Sequence, residues 1–103
     1  MVLLQLTMIP LDKGSHFSKY VSKSLDIIDK SGLEYQLNPM GTVIEGEYDE
    51  VMSVVRECFE TLRKESERIS VTMKIDYRSG KNSRLISKVE KVESVLGRPL
   101  KKS

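Results

Sequence analysis

Leu33-Glu-Tyr-Gln-Leu-Asn-Pro-Met-Gly-Thr-Val-Ile-Glu-Gly46 is the stretch on which the fold turns. Leu33, Tyr35 and Leu37 alternate with Glu34, Gln36 and Asn38, the period of a half-buried strand (β2, 33–38), and Pro39-Met40-Gly41 then supplies a turn. Between Gly41 and Gly46 only four residues, Thr42 to Glu45, remain to form the returning strand β3. Glycine at both ends lets the backbone bend where other residues would be strained. A hairpin is therefore expected in the middle of the chain. Its second strand carries a hydroxyl and an acid, a combination that points to a site. The plain alternative is an exposed Glu45 that favours the N-terminus of the following helix.

Upstream of the hairpin, Val2 to Ile9 begins apolar and then alternates, with Leu4, Leu6 and Met8 on one face and Gln5 and Thr7 on the other; this is β1, stopped by Pro10. After a loop at 11–14, Ser15 is the expected N-cap of a helix α1, in which Phe17, Tyr20, Val21, Leu25 and Ile28 recur at helical spacing until Ser31-Gly32. Downstream, Asp49 is the expected cap of α2, whose Val51, Val54, Val55, Cys58, Phe59 and Leu62 trace one apolar stripe. Arg68 to Tyr77 alternates strictly and is expected to form β4, with Ile69, Val71, Met73, Ile75 and Tyr77 inward and Ser70, Thr72, Lys74 and Asp76 outward. A turn at 78–82 leads to Leu85, Val89, Val92 and Leu96, the narrow apolar seam of a third helix, α3.

The order β1-α1-β2-β3-α2-β4-α3 is α+β, the ferredoxin-like split βαβ unit with an added C-terminal helix. Right-handed crossovers place both connecting helices on one face of a four-stranded antiparallel sheet of expected order β4-β1-β3-β2. The other face is open, and its expected occupants are mainly Gln5, Thr7, Gln36, Asn38, Ser70 and Thr72, with Leu3, Ile9 and Val43. Short polar and apolar groups mixed in this way suit a surface covered by another subunit or by a small polar ligand. Alternation puts Glu45 with Val43 on the open face and Thr42 with Ile44 toward the helices. The two polar groups lie about 10 Å apart along the strand, and a changed register or a bulge at Gly41 is needed to bring them into one site.

The 103 residues form one domain, read as 1–97 with a basic tail at 98–103. With 39% hydrophobic and 31% charged residues, the composition is that of a globular protein rather than a disordered chain. No apolar run reaches the roughly 18 residues of a membrane span, and Met1 to Pro10 lacks the basic flank of a signal peptide, so a cytoplasmic protein without membrane insertion is expected. Residues 1–80 hold 10 Lys and Arg against 13 Asp and Glu, whereas 81–103 hold 7 against 2. This basic end reads as a solvated helix face and a frayed terminus.

The chain is poor in catalytic groups. Cys58 is the single cysteine and falls on the apolar stripe of α2, so it reads as a small core residue. His16 is the single histidine, and one Cys with one His do not supply a closed zinc site. Glu45 and Asp76 are acids at strand ends, but no nucleophile or cofactor motif accompanies them. Ser79-Gly-Lys-Asn82 has neither the spacing nor the context of a phosphate-binding loop. Ferredoxin-like domains that bind RNA stack bases on aromatic side chains of the central strands, and β1 and β3 contain none.

Met8-Ile-Pro10, Ser18-Lys-Tyr-Val21, Pro39-Met-Gly-Thr-Val-Ile-Glu-Gly46 and Ile75-Asp-Tyr-Arg78 together resemble the small thiamine-binding, YkoF-like superfamily over about residues 2–96. The resemblance implies a ferredoxin-like subunit that self-associates as a dimer or tetramer and binds thiamine or its hydroxymethylpyrimidine portion, without catalysis. Carried over to this chain, it places Ser18, Met40, Gly41, Thr42, Glu45 and Asp76 around the pocket. The β1–α1 loop, Asp12-Lys-Gly-Ser-His-Phe17, is shorter and bulkier than the family pattern. The expected function is non-enzymatic binding of thiamine or a related pyrimidine in salvage or transport. The alternative is a structural or regulatory homo-oligomer with no small ligand of its own.

Overall fold

The computed structural model describes residues 1–80 and 87–101. Its elements are β1 (Val2–Pro10), α1 (Ser18–Lys30), β2 (Glu34–Asn38), β3 (Gly41–Gly46), α2 (Tyr48–Arg63), β4 (Ile69–Tyr77) and α3 (Ser87–Leu96). The strands form one sheet of order β2-β3-β1-β4 with every pair antiparallel, as the topology argument requires. Leu85, expected in the seam of α3, lies outside the described residues, as do positions 81 and 82 of the expected turn.

The register explains why the sheet has two different faces. Tyr35, Ile44, Leu4 and Ile75 stand opposite one another in a row across the four strands, and Leu37, Thr42, Leu6 and Met73 make the next row on the same face. Helices α1 and α2 pack on each other and on β1, and α2 also packs on β3. The core is accordingly Val2, Leu4, Leu6, Met8 and Ile44 from the sheet, Ile28 from α1, and Val51, Val54, Val55, Cys58 and Leu62 from α2.

Three local expectations change. Ser15 does not cap α1, because the chain makes a further turn, with Gly14 at φ +59° and the His16 amide bonded to the Lys13 carbonyl at 3.1 Å. Phe17 takes the N-cap position without a side-chain bond, and its carbonyl accepts from both the Tyr20 and Val21 amides at 3.0 Å. Helix α2 starts at Tyr48 with Glu47 at its cap, so Asp49 sits in the first turn, where its charge still favours the positive helix end. Finally, the apolar row of β4 lies on the helix side of the sheet but, among the described residues, no helix covers it. Val71, Met73, Ile75 and Tyr77 are exposed, because the helices lie over the central strands and β4 makes its main contacts with β1.

Helix α3 makes no comparable contact with another element among the described residues, and Val92, Val95 and Leu96 are exposed along it. It ends where Gly97 adopts φ +74° and its amide bonds to the Glu93 carbonyl at 2.8 Å, a glycine stop.

Candidate functional site

The tip of the β2–β3 hairpin is built against β1. Gly41 stands opposite Asn38, and the Thr7 hydroxyl donates to the Met40 carbonyl at 3.1 Å. A Cβ on Gly41 would meet Thr7 Oγ1 at 2.9 Å and the Leu6 carbonyl oxygen at 3.0 Å, so only glycine allows the hairpin to come this close. The hairpin is also held to α1 by the Tyr35 hydroxyl, which donates to Asp29 at 2.6 Å. That bond to a carboxylate, with burial second, raises the Tyr35 pKa above its ordinary value.

Between the hairpin tip, the end of β1 and the inner side of α1 lies a cleft of about 340 Å³. That is near the lower end of ligand pockets and suits one small ring system. Leu6, Met8, Phe17, Val21, Leu25, Ile28 and Leu37 supply its apolar walls, and Thr7, Ser24, Asn38 and Thr42 are its polar residues. Among the described residues, no charged residue lines it. Ser24 and Thr42 are buried, whereas Thr7 and Asn38 are half-buried toward the hairpin tip.

Of the residues singled out in the sequence, Met40, Gly41 and Thr42 line this cleft. Met40 is 82% exposed at the hairpin tip. Ser18 opens α1 next to Phe17; it is exposed, does not line the cleft, and its carbonyl accepts from the Ser22 hydroxyl at 2.8 Å. Glu45 and Asp76 are elsewhere. Both are on the open face, where Glu34, Glu45, Leu3 and Asp76 form one row across the sheet.

The ladder runs without a bulge through Thr42 and Glu45, so the two polar groups of β3 point to opposite faces and do not share a site. Glu45 is only 3% exposed, which removes the reading of a solvated acid beside the next helix. Neither Glu45 nor Asp76 lacks a polar partner. A shallow hollow over Leu3, Gln5, Val43, Lys74, Ile75 and Asp76 lies beside them.

Sequence reasoning missed Phe17, Val21 and Ser24. The signal was present: Ser24 follows Val21 by three residues and Phe17 by seven, placing a hydroxyl on the apolar stripe of α1. Cys58 behaves as a core residue, its thiol pushed up to about 11 chiefly by burial. Among the described residues no cluster of His, Cys, Asp and Glu could hold a metal ion.

The model of the family described as thiamine-binding protein matches residues 4–93. The chain belongs to this thiamine-binding protein family. UPF0045 protein MJ1052 of Methanocaldococcus jannaschii is 34% identical over 91 residues, covering 88% of this chain and 91% of that protein. A UPF0045 protein of Mycobacterium tuberculosis is 35% identical over 99 residues, covering 95% and 97%. The crystal structure of MJ1052 superposes with a TM-score of 0.81, covering 88% of this chain and 94% of the other. A candidate thiamine biosynthesis/salvage protein from Thermotoga maritima, 25% identical, superposes with a TM-score of 0.78 and coverages of 88% and 97%. The ferredoxin-like architecture is thus that of the thiamine-binding family, and the cleft lies among its matched residues.

Proposed function

We propose that this member of the thiamine-binding family is a non-enzymatic, cytoplasmic binding protein for thiamine or its hydroxymethylpyrimidine portion, serving salvage or transport. The observation that carries the reading is the uncharged cleft between α1 and the hairpin, with two buried hydroxyls in apolar walls. An aminopyrimidine has apolar faces and a polar edge, which is the complement of such a surface. Met40, Gly41 and Thr42 contact the ring in this reading, with Ser18 beside the mouth. Glu45 and Asp76, on the open face, lie apart from the ring in this reading.

Isothermal titration with hydroxymethylpyrimidine and thiamine tests the proposal. Saturable binding is expected, and it is expected to be lost when Val21→Trp fills the cleft wall. Thr42→Val is expected to weaken the ring by roughly tenfold, the worth of one hydrogen bond, and Glu45→Gln to leave it unchanged. No heat from folded wild-type protein, or full affinity in the filled variant, defeats the reading.

A second reading rests on its own observation, the exposed apolar rows of β4 and α3. We propose that these rows are covered by further copies of the chain in a dimer or tetramer, since a patch of this kind on a monomer favours association. Light scattering should give a multiple of the 11.8 kDa chain mass, and Met73→Lys with Ile75→Lys should reduce it. A wild-type mass equal to one chain rejects self-association.

A further inference from the structure

Phe17 stands where helix α1 by itself would favour a different residue. It takes the N-cap position, at which serine, threonine, asparagine or aspartate would accept a bond from a free helix amide, and its side chain makes no such bond. It is not a hydrophobic staple either, since a staple would put an apolar residue one position earlier, where His16 stands. Nor does it belong to the core. Tyr20, Leu25 and Ile27 of the same helix pack against the core, whereas Phe17 is 37% exposed. A phenyl group here forgoes the cap bond and keeps apolar surface in water.

What the position provides is a held ring beside the cleft. The Phe17 carbonyl accepts from the Tyr20 and Val21 amides, both at 3.0 Å, so the first turn of α1 fixes the backbone that carries the side chain. Phe17 lines the cleft with Val21, one turn further along α1, and with Leu37 and Met40 of the hairpin. Among the described residues it is the one aromatic side chain in that lining. Its surface is accessible without any rearrangement.

We infer that Phe17 is a further ligand-binding residue, whose phenyl face stacks on the flat heteroaromatic ring taken up by the cleft. The inference rests on the proposed ligand-binding reading and deepens it by naming the group that favours an aromatic ring over an aliphatic one. Among the described residues no charged side chain lines the cleft, so an uncharged ring meets apolar walls and a single aromatic face. Offset stacking adds to the burial of apolar area, which an aliphatic wall would also supply. Leucine can therefore replace the area of Phe17 but not its face.

Hydroxymethylpyrimidine is titrated into wild type, Phe17→Leu and Phe17→Tyr, followed by calorimetry and by proton NMR of the ligand. Thermal unfolding checks that both variants fold. In wild type the ring-methyl and ring-proton signals of the ligand should move upfield on binding, because they lie over the phenyl face. Phe17→Leu should weaken binding by about fivefold, the worth of one aromatic pair, and remove most of the upfield movement. Phe17→Tyr should restore both.

Bound ligand whose ring signals do not move upfield in wild type overturns the stack, whatever the variants do. Wild-type affinity in Phe17→Leu, or a loss there that tyrosine does not restore, also overturns it and leaves the binding reading standing. Failure of wild type to bind the ring defeats that reading, and the role of Phe17 falls with it.

Discussion

Strands β1 and β4 pair residue for residue and carry the same alternation, yet they end in opposite environments. Leu4, Leu6 and Val2 are 0%, 4% and 1% exposed, while their partners Ile75, Met73 and Tyr77 are 41%, 42% and 69% exposed. The difference is not in the strands but above them. Helices α1 and α2 cross over β1 and β3 and leave the edge strand bare. Period two tells which side of a sheet a residue faces; only the helix footprint decides whether that side is dry.

The sharpest break of the comparison is a matched pair of truncations. Leu4→Ala should cost about 2–5 kcal/mol in urea unfolding, because it opens a cavity under both helices. Ile75→Ala, directly opposite, should cost about 1 kcal/mol or less in dilute protein, where its side chain is already half in water. If further copies cover β4, the second number grows with protein concentration while the first keeps its size, since association stabilises by mass action.

Next in size is Gly41→Ala, on the hairpin that abuts β1. The new Cβ would press on Thr7 Oγ1 and the Leu6 carbonyl at 2.9 and 3.0 Å. A cost of about 1–3 kcal/mol is expected from such overpacking, together with loss of the proposed ring binding as the tip moves off the cleft. The same substitution at Gly14 meets no atom within 4 Å, although it too has a positive φ, so its effect should be confined to backbone strain and leave titrations unchanged.

How far the chain could be read in advance follows the same division. Strand order, antiparallel pairing and the face of every strand residue were legible, because the hairpin at 33–46 leaves one connected arrangement for two helices and four strands. The start of α1 was not: Ser15 has the chemistry of a cap, but the turn at 13–16 intervenes before Phe17. At the candidate site the hairpin was marked out by its glycine-bounded strand, and Met40, Gly41 and Thr42, which line the cleft, were carried over from the family resemblance. Ser24 was hidden because a serine on an apolar stripe looks like a tolerated small residue until its hydroxyl is seen to lack a partner. Glu45 illustrates the converse, since alternation put it on the open face but gave no sign that it would be buried there.

The smallest expected effect concerns how β4 is anchored where it begins. Asp12, in the loop after β1, receives the Ser66 hydroxyl at 2.5 Å and the Glu67 amide at 2.8 Å, and Leu11 donates its amide to the Arg68 carbonyl at 2.7 Å. These bonds tie the first covered strand to the entry of the uncovered one. The Ser66 bond first, and the Glu67 amide second, lower the Asp12 pKa below the ordinary carboxylate value. A carboxyl held lower in the folded chain than in the unfolded one stabilises the fold above the unfolded pKa, and that stabilisation disappears as pH falls through the folded value. Asp12→Asn should therefore melt below wild type at pH 7, with the gap closing as Asp12 itself becomes protonated on acidification below about pH 4. Amide exchange should localise the change to Glu67 and the first residues of β4. A gap that stays constant down to pH 2 would show that the charge of Asp12 contributes nothing, and that β4 is held at this end by backbone bonds alone.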